Sequence, residues 1–194
     1  MNIKRTMKST EPYILAAVIL LSLLIQSRSG QFYTGNNLVD LVRSMVVPAL
    51  FAIGAQMVIV SGGIDVSFPA VASLSMYITT RVLLNVDYNG SVILPYLIGA
   101  VLGVVMGLIN GFLIGYFKFP TLVVTLGTSS LFIGIMQGVL AARELPVPPA
   151  MFDHGKAKLF SAYNEGLGLS SDMPVTVLIL IGFLILTFIL LKYT

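Results

Sequence analysis

The clearest chemistry in this chain is a carboxylate set beside a pair of helix-breaking glycines. Residues 61–69 read Ser61-Gly62-Gly63-Ile64-Asp65-Val66-Ser67-Phe68-Pro69 and lie between two apolar runs, 50–60 and 70–84. Two adjacent glycines, an acid and a proline cannot continue a helix cheaply. If both runs lie in a bilayer, this is a helix break at or near membrane depth. Backbone of that kind survives only when it is buried in protein or lines a watery cavity. Broken helices that carry an acid recur where transporters bind their cargo. Asp65 therefore has two readings. It lines a path and changes partners, or it is a structural lock that accepts hydrogen bonds from the free N–H groups opening the next helix, where the helix dipole favours a negative charge. Ser67 is a cap for that helix, with Pro69 tolerated in its first turn.

Gln56, Asn110 and Gln137 are polar groups inside apolar spans. Interhelical hydrogen bonding explains each about as well as contact with a polar solute. With Asp65 and Ser67 they form the candidate substrate pathway; Gly62, Gly63, Asp65 and Pro69 form the break itself. Thr125 and Thr128 read as bonding back to their own helix, and Arg81 as snorkelling to the outer interface. His154 stands alone in a loop and is neither a metal site nor a base. The sequence has no Gly-x-x-x-x-Gly-Lys-Ser/Thr loop, so ATP is not bound by that device. No nucleophile–base pair is present, and with no cysteine there is no thiolate metal site or disulfide. The reading is of a non-enzyme with no cofactor and no metal. A net charge of +3, partly N-terminal, gives no case for nucleic acid.

The elements that must hold these residues are apolar helices. Of 194 residues 57% are hydrophobic and only 10% charged, against about 25% charged in a soluble domain. A mean hydropathy of +0.96 with several long apolar runs gives an all-α, polytopic helical membrane protein of about six transmembrane helices, with a helix break at 61–69. The predicted spans are 13–25, 44–60, 70–84, 93–117, 121–142 and 174–191, in one domain covering 1–194. The first is short, and a cleavable signal peptide ending near Ser27-x-Ser29 is its rival reading. The fourth carries Gly99, Gly103, Gly107, Gly111 and Gly115, a strict spacing of four that invites close approach of a neighbouring helix. Residues 143–173 are the longest polar segment, stiffened by Pro146-Val147-Pro148-Pro149.

Lys4, Arg5 and Lys8 before the first span argue for a cytoplasmic N-terminus, which puts 143–173 outside. Tyr13, Tyr33, Tyr88, Tyr96, Tyr116 and Tyr193 fall at predicted interfaces, as in an aromatic belt.

Two motifs in order then suggest a family. Gly62-Gly63-Ile64-Asp65-Val66-Ser67 resembles the Gly-Gly-Ile-Asp-Leu-Ser motif of the sugar-type permease subunits of bacterial ABC importers. These are the ribose, xylose, galactose and autoinducer-2 transporters, related to branched-chain amino-acid permeases. Asn110-Gly111, then Pro120, then Thr125-Leu126-Gly127-Thr128 resembles the family's second signature. Phe68-Pro69 stands where the family commonly has Val-Gly. The resemblance covers only the N-terminal portion of such a permease. It implies that further spans and an ATPase-coupling segment belong to the whole protein. It also implies separate ATPase subunits, an extracytoplasmic solute-binding protein, a second permease subunit and alternating access across the bacterial plasma (inner) membrane. ATP-driven import needs no proton site in the membrane, so the lock is the preferred reading of Asp65. A secondary transporter using Asp65 as a proton or cation site, and a non-transporting fragment or assembly module, are the alternatives.

Overall fold

The computed structural model describes residues 11–193. Lys4, Arg5 and Lys8, on which the orientation argument rests, lie outside them. In chain order the elements are α1 (Glu11–Ser29), α2 (Gly35–Val60), α3 (Phe68–Asn85), α4 (Ile93–Gly115) and α5 (Thr121–Gly134), which runs into a π-helical turn, Ile135–Val139. There follow α6 (Pro149–Lys156), β1 (Lys158–Asn164), β2 (Leu169–Pro174) and α7 (Thr176–Tyr193).

Five of the described helices are long and apolar enough to cross a membrane: α1, α2, α4, α5 with its π turn, and α7. In α7 apolar side chains such as Leu178, Phe183, Leu186 and Phe188 are exposed, and Thr187 alone is buried. A helix apolar all round and open to its surroundings belongs in lipid. The third predicted span forms a helix, α3, yet is not among the five. The reason is its composition: Ser73, Ser75, Thr79, Thr80 and Arg81 replace apolar residues. It packs on both α4 and α5, so protein rather than lipid receives much of its surface. Pro48 sits within α2 without ending it, as membrane helices allow.

The described chain divides into two compact units, with the boundary inside α2. The larger comprises 46–157 and 174–193. Its core is where α3, α4 and α5 meet: Ala70, Leu74, Met106 and Phe132 are buried together, with Leu102, Ile135 and Met136 against them. Among the described residues no close neighbour lies along most of the glycines of α4. A Cβ on Gly99 would reach only Thr79 Oγ1, at 3.9 Å, and one on Gly103, Gly107, Gly111 or Gly115 would meet nothing within 4 Å. The buried face of α4 instead carries Pro95, Met106 and Asn110.

The smaller unit comprises 11–45 and 158–173. Here the polar segment that reads as loop contains a two-stranded sheet, β1 with β2. Asn164 Nδ2 donates to Gln31 Oε1 (2.9 Å) and Asn36 Oδ1 (3.1 Å), and Ser171 Oγ donates to Asp40 Oδ2 at 2.7 Å. The Asp172 carboxyl is held below its ordinary range by hydrogen bonds from Ser161 and from Lys158, whose ammonium lies 3.0 Å away.

Candidate functional site

The break at 61–67 is built by backbone that needs glycine twice. Gly62 has φ +82°, a left-handed conformation costly for other residues. Gly63 lies so near the start of α5 that a Cβ there would stand 3.0 Å from Thr121 Cγ2. The first turn of α3 then holds Pro69, where a missing N–H costs nothing.

Ser67 occupies the cap position of α3, but its side chain makes no capping bond to that helix. The acceptor comes from two residues earlier. Asp65 Oδ1 accepts from the Ser67 N–H (2.6 Å) and from Ser67 Oγ (2.7 Å), the local turn that Asp favours. Ser67, with no exposed surface, in turn accepts from Asn110 Nδ2 of α4 at 2.8 Å. Thr125 completes the arrangement from α5. Its Oγ1 accepts from the Val66 N–H and donates to the Ile64 carbonyl, both at 3.3 Å. The bond back to its own helix that the sequence predicts is also present, to Leu122 O at 3.4 Å. Its bonds to the break were missed because they join residues about sixty positions apart. Thr128 does bond back, to Val124 O at 3.0 Å. The Asn110 Oδ1 atom is buried without a partner.

Three of the five candidate pathway residues thus meet in one knot: Asp65, Ser67 and Asn110. The other two do not. Gln56 is exposed and lines a separate cavity of about 450 Å3 with Ile53 and Thr187. Gln137 is exposed in the π turn. Arg81 is tied down: its Nη1 donates to Leu140 O at 3.0 Å, just past that turn. His154 has a partner, Tyr96, and no group of residues able to hold a metal ion occurs among the described residues.

Apolar helices of spanning length and a broken helix fastened to its neighbours give a helical, multi-pass membrane protein. The profile of the family described as branched-chain amino acid transport system / permease component matches residues 37–194, and the chain belongs to that family. It is 33% identical over 136 residues to the autoinducer 2 import system permease protein LsrC of Salmonella typhi, covering 69% of this chain and 38% of that one. The xylose/arabinose import permease protein XylH of Sulfolobus acidocaldarius is 24% identical over 199 residues, covering 100% and 52%. The ribose import permease protein RbsC of Haemophilus influenzae is 25% identical over 164 residues, covering 84% and 48%. The chain therefore spans about half or less of the length of these relatives. No solved structure matches it.

Proposed function

We propose that this chain is part of the transmembrane permease subunit of an ATP-binding cassette importer for a sugar or similar small polar solute. The observation that carries the reading is the meeting of two distant family motifs, Asp65-Val66-Ser67 and Asn110, in one hydrogen-bonded knot. In this reading the subunit is not an enzyme, and ATP is hydrolysed on separate chains. A solute-binding protein delivers the cargo, a second permease completes a dimer, and alternating access moves the solute inward across a bacterial plasma membrane. All the elements form one permease domain with a cytoplasmic N-terminus. Asp65 is then a lock that secures the broken helix, and the α4 glycines are a packing surface.

Uptake by the assembled transporter in vesicles tests this. Dependence on ATP is the expected result; uptake abolished by an ionophore, with ATP dispensable, would overturn it. Orientation has its own check in this cysteine-free chain. A cysteine at Asp153, in α6, should react with an impermeant reagent from outside only.

A further inference from the structure

Past the π turn that ends α5, the chain borders a cavity of about 250 Å3 within the larger unit. Tyr77 and Thr80 of α3, Met151 of α6 and the proline-stiffened residues 145–148 form its walls. One charged group lines it, Arg143, and among the described residues no carboxylate does. Arg143 is exposed, and the hydrogen bond it makes comes from its backbone N–H, to Tyr77 Oη at 3.4 Å. Glu144 is next in the chain, yet the one ion pair among the described residues joins Lys158 to Asp172. The Arg143 guanidinium is therefore uncompensated. A second guanidinium reaches the same short segment. Arg81 lies one turn beyond Tyr77 on α3, and its Nη1 donates to Leu140 O at 3.0 Å, with no carboxylate paired to it. The apolar stretch of α5 and its π turn ends at Val139, and Arg81 lies in the last part of α3. Both arginines thus stand at helix ends, the level of lipid phosphates rather than of acyl tails.

We propose that this cavity holds the phosphodiester of an anionic phospholipid, with Arg143 as its charged ligand and Arg81 completing the positive patch. A guanidinium presents paired N–H donors that match two phosphate oxygens. Two cations and no carboxylate in the cavity wall favour a lipid of net negative charge over a zwitterionic one, whose ammonium they repel. The volume falls below the roughly 300–1,000 Å3 of sites that enclose a whole small molecule, which suits a headgroup alone. A neighbouring cavity of about 700 Å3 shares Met76 and Met151 with it and offers Leu50, Val92, Pro95 and Ala100 to an acyl chain. The proposal goes beyond the import reading and does not depend on the nature of the cargo.

The test titrates the whole detergent-solubilised chain with phosphatidylglycerol, or with phosphatidylcholine of the same acyl chains, and counts retained lipid by native mass spectrometry. Wild type should retain one phosphatidylglycerol at about tenfold lower concentration than phosphatidylcholine, the gain from one charge-assisted contact. Arg143→Gln should lose that preference. Arg143→Lys, which keeps the charge but not the fork, should keep part of it. Lys192→Gln removes a charge from another helix end, in α7, and should bind as wild type does. The Arg143 guanidinium is bonded to nothing among the described residues, so its exchange should leave melting without lipid unchanged; Arg143→Lys decides the matter if Arg143→Gln melts lower. Equal retention of the two lipids by wild type would overturn the assignment. So would an unchanged preference in both Arg143 variants, or an equal loss in Lys192→Gln, which marks diffuse attraction to basic residues. Inorganic phosphate, followed by thermal unfolding, separates the sources of the phosphate group. If it stabilises wild type but not Arg143→Gln while the two lipids are retained alike, the site takes free phosphate and the lipid is rejected.

Discussion

One helix, α3, treats its hydroxyls in opposite ways at its two levels. At its first turn Ser67 donates to Asp65 and accepts from Asn110. Two and three turns further on, Ser75 and Thr79 are just as enclosed and bond to nothing. Both levels are made of small polar residues in an apolar setting, so composition does not separate them. Partnership does. Where a buried polar group is satisfied by the chain itself, its removal harms the fold. Where it is left unsatisfied, its removal relieves a cost.

Substitutions can break or sharpen this contrast. The largest effect belongs to Asp65→Ala, which strands the Ser67 N–H and hydroxyl donors; a loss of about 1–3 kcal/mol is expected. Asp65→Asn keeps an acceptor oxygen and should lose less, as read by thermal unfolding of the two variants. Equal losses would mean that the carboxylate does not organise the first turn. Next comes Gly63→Ala, whose Cβ would crowd Thr121 Cγ2 at 3.0 Å; overpacking of this kind costs about 1–3 kcal/mol. Adding Thr121→Ala should recover most of that loss, and a double-mutant cycle showing no coupling would place the strain elsewhere.

A smaller effect lies in the other unit. Asp172 titrates below its ordinary value in the folded protein because Ser161 and Lys158 favour its ionised form. The stability it adds is present above the ordinary carboxylate range and is lost as pH falls through the lowered value. Amide exchange in β1 and β2 should accelerate on acidification, and Asp172→Asn should flatten that dependence. The least effect is expected for Gly107→Leu. With nothing within 4 Å of its Cβ, the chain's own melting should stay within about 0.5 kcal/mol or rise slightly through better helix propensity. A marked fall would restore the close helix neighbour that the glycine spacing predicts.

Much of this was legible in the sequence because it depends on local pattern. Apolar runs placed the helices, and Gly62, Gly63 and Pro69 placed the break. Boundaries slipped where polar residues continue a helix. The second span is predicted from 44, but α2 begins at Gly35, and its early polar residue Asn36 is accommodated by a bond from Asn164. The hairpin of β1 and β2 was not legible, since the bonds that seat it join residues 128 to 133 positions apart. Thr125 was read only in part for the same reason: it does bond back to Leu122 O, but its bonds to Val66 and Ile64 were out of reach, while Gln56 and Gln137 look like Asn110 in sequence and differ only in what the fold brings to them. His154 reads as solitary until α6 carries it to Tyr96.

The knot at the break also has a mechanical consequence. Its bonds run from residues 64–67 to Asn110 on α4 and to Thr125 on α5. Sliding either helix past the break would rupture them, at about 0.5–1.5 kcal/mol for each bond, and would uncover Ser67. The break is thus a fastener rather than a pivot. The entrance of α3 is thereby held to the neighbouring levels of α4 and α5, and any large displacement among these helices would have to be absorbed at joints away from it.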